Sequence, residues 1–162
     1  MNAPAPRLPY KVLFLCTGNS ARSILAEFLL RRDAAGRFEA FSAGARPRGR
    51  VNPIALETLR NKYGIDAGGA RSKSWEEYRD VAFDFVITVC DRARESCPIW
   101  PGRPVVAHWG EEDPDAAAGE DEARRIMRSV AADLERRIRL FCALPFESLD
   151  RLRADHGMDS IR

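Results

Sequence analysis

The apolar residues of this chain are gathered into four short runs, Lys11 to Leu15, Phe38 to Ser42, Phe83 to Val89 and Pro104 to Trp109, with stretches of helical period between and after them. A run as continuous as Lys11-Val-Leu-Phe-Leu15 fits a strand covered on both faces of a parallel sheet. Leu25, Phe28 and Leu29 then repeat at helical spacing up to a stop at Gly36. Asn52 and Pro53 form a cap and first-turn pair for a helix running through Leu56, Leu59 and Tyr63 to Gly64. Ser74-Trp75-Glu76-Glu77 is a capping-box pattern for a short helix, and Ile126, Val130, Leu134 and Ile138 mark a long last helix that ends before Pro145. Strands alternating with helices predict an α/β fold, a single three-layer domain with a four-stranded parallel sheet and helices on both faces. Ligands of such sheets bind beyond the strand C-termini, where Cys16, Cys90 and the acidic loop after Trp109 should converge.

The length of 162 residues suits one domain, and the 45% hydrophobic content suits a core stable without disulfides. Residues 1–9, with Pro4, Pro6 and Pro9, read as a flexible arm, residues 10–153 as the domain and residues 154–162 as a polar tail. A short helix is expected from Phe146 to Arg153. A net charge of +2 leaves no large field directed at nucleic acid, and no run is long enough for a membrane span or a signal sequence. The chain therefore reads as cytoplasmic, with its four cysteines as thiols or redox partners. Only two histidines occur, far apart, so no metal cluster is expected.

The loop Cys16-Thr17-Gly18-Asn19-Ser20-Ala21-Arg22-Ser23 lies between the first strand and the first helix. Gly18 and the lack of proline allow its amides to turn inward toward one anion, and the helix N-terminus and Arg22 add positive charge. Such surroundings lower a thiol from about 8.5 to between about 3.5 and 7.5, so Cys16 is expected to be a thiolate nucleophile toward a phosphate- or arsenate-type oxyanion. Arg22 can chelate two oxygens, Ser20 or Ser23 can steady the sulfur, and Asn19 can hold a strained turn. The alternative for Cys16 is a buried core thiol at a strand end. Cys97 and Arg103 repeat the spacing, but Pro98 and Pro101 remove backbone donors there.

CTGNSARS after VLFL, followed by Ser42-Ala43-Gly44, resembles the low-molecular-weight tyrosine phosphatase fold and its arsenate reductase relatives, from Lys11 to about Phe146. The resemblance implies a cysteine nucleophile at Cys16 and a general acid at Asp113 of Asp113-Pro114; without it, Glu111, Glu112 and Asp113 rank alike. Cys90 to Cys97, followed by Pro98, looks like the redox segment of thioredoxin-linked arsenate reductases, and His108-Trp109-Gly110 is similar to the same branch. Ala21 stands where phosphatase members carry a second loop cysteine, and Asp115 where they carry tyrosine.

The resemblance thus implies an arsenate reductase with a Cys16, Cys90, Cys97 relay and no bound cofactor. The external thiol reductant is left open between thioredoxin and a glutaredoxin/glutathione-type system. The alternatives are a phosphatase working through phosphocysteine and a noncatalytic oxyanion or redox sensor. Some relatives hold potassium near the loop, but Lys73 falls at the position of the acid that binds it, so an ammonium is expected there with Asn19, Glu27 and Ser42 as support. Cys142 reads as a core or half-buried thiol, His108 as a hydrogen-bonding residue, and Arg46, Arg48 and Arg50 as a solvated run able to attract an anion.

Overall fold

The protein is described by a computed structural model over residues 8–146. The expected arm at residues 1–9 is covered only at Leu8 and Pro9; the short helix after Phe146 and the tail lie outside the described residues. Strands β1 (Tyr10–Cys16), β2 (Phe38–Gly44), β3 (Phe85–Thr88) and β4 (Val105–His108) form one parallel sheet in the order β2-β1-β3-β4. The helices are α1 (Arg22–Asp33), α2 (Pro53–Tyr63), α3 (Asp91–Ser96) and α4 (Glu120–Cys142). This is the α/β architecture with a four-stranded parallel sheet that the alternating pattern predicts.

The third strand is shorter than its apolar run because Phe83 leaves the ladder and packs edge-on against Phe41 and Trp100, at centroid distances of 5.2 and 5.5 Å. The capping-box segment forms a single 3-10 turn, Trp75–Tyr78, in which Ser74 accepts from the Glu76 amide. Glu77 pairs instead with Arg71.

One face of the sheet carries Tyr10, Phe38 and Phe85, which meet Phe141 and Phe146 in an aromatic cluster under α4. The apolar stripe Ile126, Val130, Leu134 and Ile138 of α4 is buried, and α1 packs against α4 and against β1 and β2. The opposite face, with Phe41, is closed by the 3-10 turn and by Phe83 and Trp100. Phe14 at the sheet centre is fully buried, and removing such a ring costs roughly 3–5 kcal/mol. Leu15 pairs with Thr88, so β1 and β3 end side by side and release Cys16 and Cys90 at one edge. Among the described residues, no helix is long and apolar enough to cross a membrane.

Candidate functional site

The loop after β1 is held from outside by its carbonyls. Those of Cys16, Thr17, Gly18 and Ser20 accept from the amides of Ala45, Arg46, Arg48 and Asn52 at 3.3, 2.8, 2.9 and 2.8 Å. In a trans peptide the N–H points opposite the C=O, so the amides of Thr17, Gly18, Asn19 and Ala21 face the inside of the loop. The Asn19 amide donates to Cys16 Sγ at 3.2 Å. α1 begins with no side-chain cap and no acidic residue in its first turn, which leaves its positive end directed at the same point.

Gly44 explains why a small residue follows Ser42-Ala43. A Cβ there would stand 2.6 Å from the Thr17 carbonyl oxygen and 3.0 Å from the Asn19 amide, so only glycine lets β2 pass this close. The hold of residues 45–52 on the loop carried no residue-type signal, because it is made by backbone amides.

Of the two serines, Ser23 is the one at the sulfur: its Oγ lies 2.8 Å from Cys16 Sγ and accepts from Asn19 Nδ2 at 2.7 Å. Asn19 adopts the left-handed region, with φ 46°, as the turn requires. Its Oδ1 in turn accepts from the Lys73 amide at 2.9 Å and from Lys73 Nζ at 3.3 Å. The Lys73 ammonium also donates to Ser42 Oγ and the Arg71 carbonyl, both at 3.0 Å, and lies 3.7 Å from Glu27. All four side chains, Asn19, Glu27, Ser42 and Lys73, are buried. The ammonium thus stands among the residues expected to support it. Burial pushes Lys73 down from the ordinary lysine range, against the pull of Glu27.

One expectation is corrected at Cys16. Burial is the largest influence on its thiol and pushes it above the ordinary value; hydrogen bonds from Ser23 and the charge of Arg22 pull downward without overcoming it. The sulfur is buried more deeply than a strand-end loop suggested, at 2% exposure, and loses more hydration than those two groups restore.

A cavity of about 580 Å³ opens above the loop. It is lined by Cys16, Thr17, Gly18, Ser20, Ala21 and Arg22, by Arg46 and Arg48, by Cys90, Asp91 and Arg92, and by Glu111, Asp113 and Asp115. The three strand ends do converge, and none of the lining side chains is aromatic. Arg22 reaches across to the acidic loop, donating to the Glu111 carbonyl at 3.2 Å and lying 3.6 Å from Asp113 Oδ1. Asp113 caps the short turn Pro114–Ala116 and is half-exposed at the cavity.

Cys90 is buried with its Sγ 3.3 Å from Thr17 Oγ1. Cys97, at the far end of α3, lines no part of this cavity and is half-buried, and burial pushes its thiol up. His108 bridges Thr88 Oγ1 at 2.7 Å and Asp91 Oδ1 at 2.9 Å, as a hydrogen-bonding residue should. Arg46 and Arg48 line the cavity rather than forming only a solvated run. Cys142 is half-buried away from the site, its carbonyl accepting from Arg37.

A family profile described as low molecular weight phosphotyrosine protein phosphatase matches residues 11–151. The chain belongs to this family. Within the family it is 34% identical over 131 residues to an arsenate reductase of Halalkalibacterium halodurans, which covers 80% of this chain and 93% of the relative. A solved arsenate reductase in a phosphate-binding state superposes with a TM-score of 0.71 and 28% identity, over 83% of this chain and 97% of the other. A thioredoxin-dependent arsenate reductase of Corynebacterium glutamicum superposes with a TM-score of 0.61 and 29% identity, over 84% of this chain and 65% of the other. In this chain the fold places the loop after β1 and Cys90 in the wall of one cavity.

Proposed function

We propose that the protein is an arsenate reductase. The observation that carries this reading is Cys90, a second thiol buried in the wall of the oxyanion cavity and touching Thr17 of the loop itself. Phosphoester hydrolysis needs no such thiol. Reduction does, because two electrons must pass from sulfur to arsenic.

In the proposed sequence arsenate sits among the amides of residues 17–23 and is gripped by Arg22. Cys16 sulfur bonds to arsenic as one As–O bond breaks. The thiol proton and the departing hydroxyl together make one water, with Asp113 relaying the proton to the leaving oxygen. Cys90 then attacks Cys16; the S–S bond forms, the S–As bond breaks with its electron pair on arsenic, and arsenite leaves. Cys97 attacks Cys90, frees the Cys16 thiol and leaves a Cys90 to Cys97 disulfide, which an external dithiol reduces by exchange. A reductant of the thioredoxin class is favoured by the similarity to the thioredoxin-dependent reductase.

The second reading is phosphomonoester hydrolysis through phosphocysteine, supported by the loop, Arg22 and Asp113, which both reactions share. Cys90→Ser separates the two. Arsenite production with NADPH and a thioredoxin or glutaredoxin system should fall by at least about 100-fold, while hydrolysis of p-nitrophenyl phosphate persists. Undiminished arsenite production by this variant would overturn the reductase reading.

A further inference from the structure

Two aspartates flank Pro114, and only Asp113 has a task in the proposed reaction. Asp115 nevertheless makes more contacts. Its Oδ1 accepts from Asn52 Nδ2 at 2.9 Å, the residue that caps α2. Its Oδ2 accepts from Ser20 Oγ of the oxyanion loop at 3.4 Å and lies 3.4 Å from the Arg48 guanidinium. Its own amide donates to Asp113 Oδ1 at 3.0 Å. One carboxylate therefore joins the acid loop, the oxyanion loop, the belt and the start of α2. Arg48 completes the arrangement by lying over Gly18, where an added Cβ would stand 3.1 Å from its Nε and 3.2 Å from its Cγ.

We infer that Asp115 is a specificity-determining latch, which with Arg48 and Asn52 ties the acid loop down across the mouth and restricts the cavity to a compact tetrahedral oxyanion. The inference rests on the reductase reading for its favoured substrate. A tetrahedral inorganic oxyanion carries nothing beyond the four oxygens that the loop amides and Arg22 would hold. A phosphomonoester must project its leaving group through the mouth, where an aryl ring would displace the ion pair and find no aromatic side chain to pack on. The carboxylate also repels a second negative charge at that level. Because the Asp115 amide holds the Asp113 carboxylate, the latch sets where the acid meets the leaving oxygen. Asp115 is a positioning residue in this respect.

The test compares wild type with Asp115→Ala, Asp115→Asn and Arg48→Gln in three measurements. These are arsenite production with the thiol reductant, hydrolysis of p-nitrophenyl phosphate, and affinity for inorganic phosphate by calorimetry. In Asp115→Ala, kcat/KM for the aryl phosphate should rise about tenfold while that for arsenate falls about threefold or more, with phosphate affinity held within about threefold. Asp115→Asn and Arg48→Gln should move the ratio the same way by less. A merely structural role would lower both activities together; that result, or an unmoved ratio with phosphate still bound, overturns the latch. If Asp115→Ala loses phosphate binding, the ratio in Arg48→Gln decides in the same two directions. Should wild type produce no arsenite with any reductant, the reductase reading fails, and a rise or no rise in aryl phosphate hydrolysis still decides the latch.

Discussion

At Cys16 two influences of opposite sign meet, and their balance has a kinetic consequence. Burial favours the neutral thiol, whereas the Ser23 hydroxyl, oriented by Asn19, and the Arg22 charge favour the thiolate. The sulfur should therefore react with iodoacetamide along a pH profile displaced above that of an ordinary thiol, the rate still rising where a free cysteine has levelled off. Ser23→Ala removes a hydrogen bond to the charged form, moves the profile higher still and slows alkylation at neutral pH by about tenfold. Mass-spectrometric alkylation rates at Cys16 from pH 6 to 10 measure both effects; a profile unaffected by Ser23→Ala would show that the hydroxyl does not reach the sulfur's charge. The residue-level chemistry was half legible. Loop, arginine and cysteine types were readable because the strand-loop-helix context singles them out. Depth of burial was not, since it depends on Gly44 and the belt of residues 45–52, whose amides carry no sequence signature.

The proposed relay makes a demand on α3 that its present shape does not meet. Cys90 is the N-cap and Cys97 the C-cap of the six-residue helix Asp91–Ser96, so their α-carbons stand on the order of 10 Å apart at about 1.5 Å per residue. A disulfide tolerates only about 4.4 to 6.8 Å. The helix must unwind or bend for Cys97 to reach Cys90, and it is suited to that. It is short, only Ala93 within it is buried, and it is followed by Pro98 and by a turn at Pro101 and Gly102. Its first turn is anchored by Asp91 on His108, so the Cys97 end is the one free to move while Cys90 keeps its place. Amide exchange across residues 91–103 should be faster in the oxidised than in the reduced protein, and equal protection in both states would remove the conformational step from the scheme. That two cysteines flank this segment could be read from the sequence; that it folds as a helix could not. Its anchoring by a histidine from β4 could not, because that contact joins positions 17 residues apart.

Across the whole molecule the site is an outcome of topology: parallel strands in the order β2-β1-β3-β4 bring the ends of β1 and β3 together and the loop after β4 beside them. The strand order was not predicted, but the parallel sheet and the meeting of these segments at one edge were legible, because short apolar runs alternate with helical stretches. The coupling of the site to the α4 layer was not, and it rests on Glu111. Its carbonyl holds Arg22, while its side chain turns toward α4, 3.5 Å from Arg137 Nε, with neither atom hydrogen-bonded. Burial, reinforced by Asp133, pushes the Glu111 carboxyl up to about 7 against the pull of Arg137, Arg136 and Arg22. The folded state then binds a proton that the unfolded chain releases near about 4.3, so this contribution to stability is fully present below that pH and declines as pH rises through about 7. Relative to Glu111→Gln, which does not titrate, the wild-type unfolding free energy should fall by on the order of 3 kcal/mol between pH 4.5 and 7.5 and run parallel above it. Urea melts of both proteins across that range supply the difference. A constant difference would mean that Glu111 stays ionised beside Arg137, and that the acidic loop is joined to α4 by an ion pair instead of a neutral carboxyl.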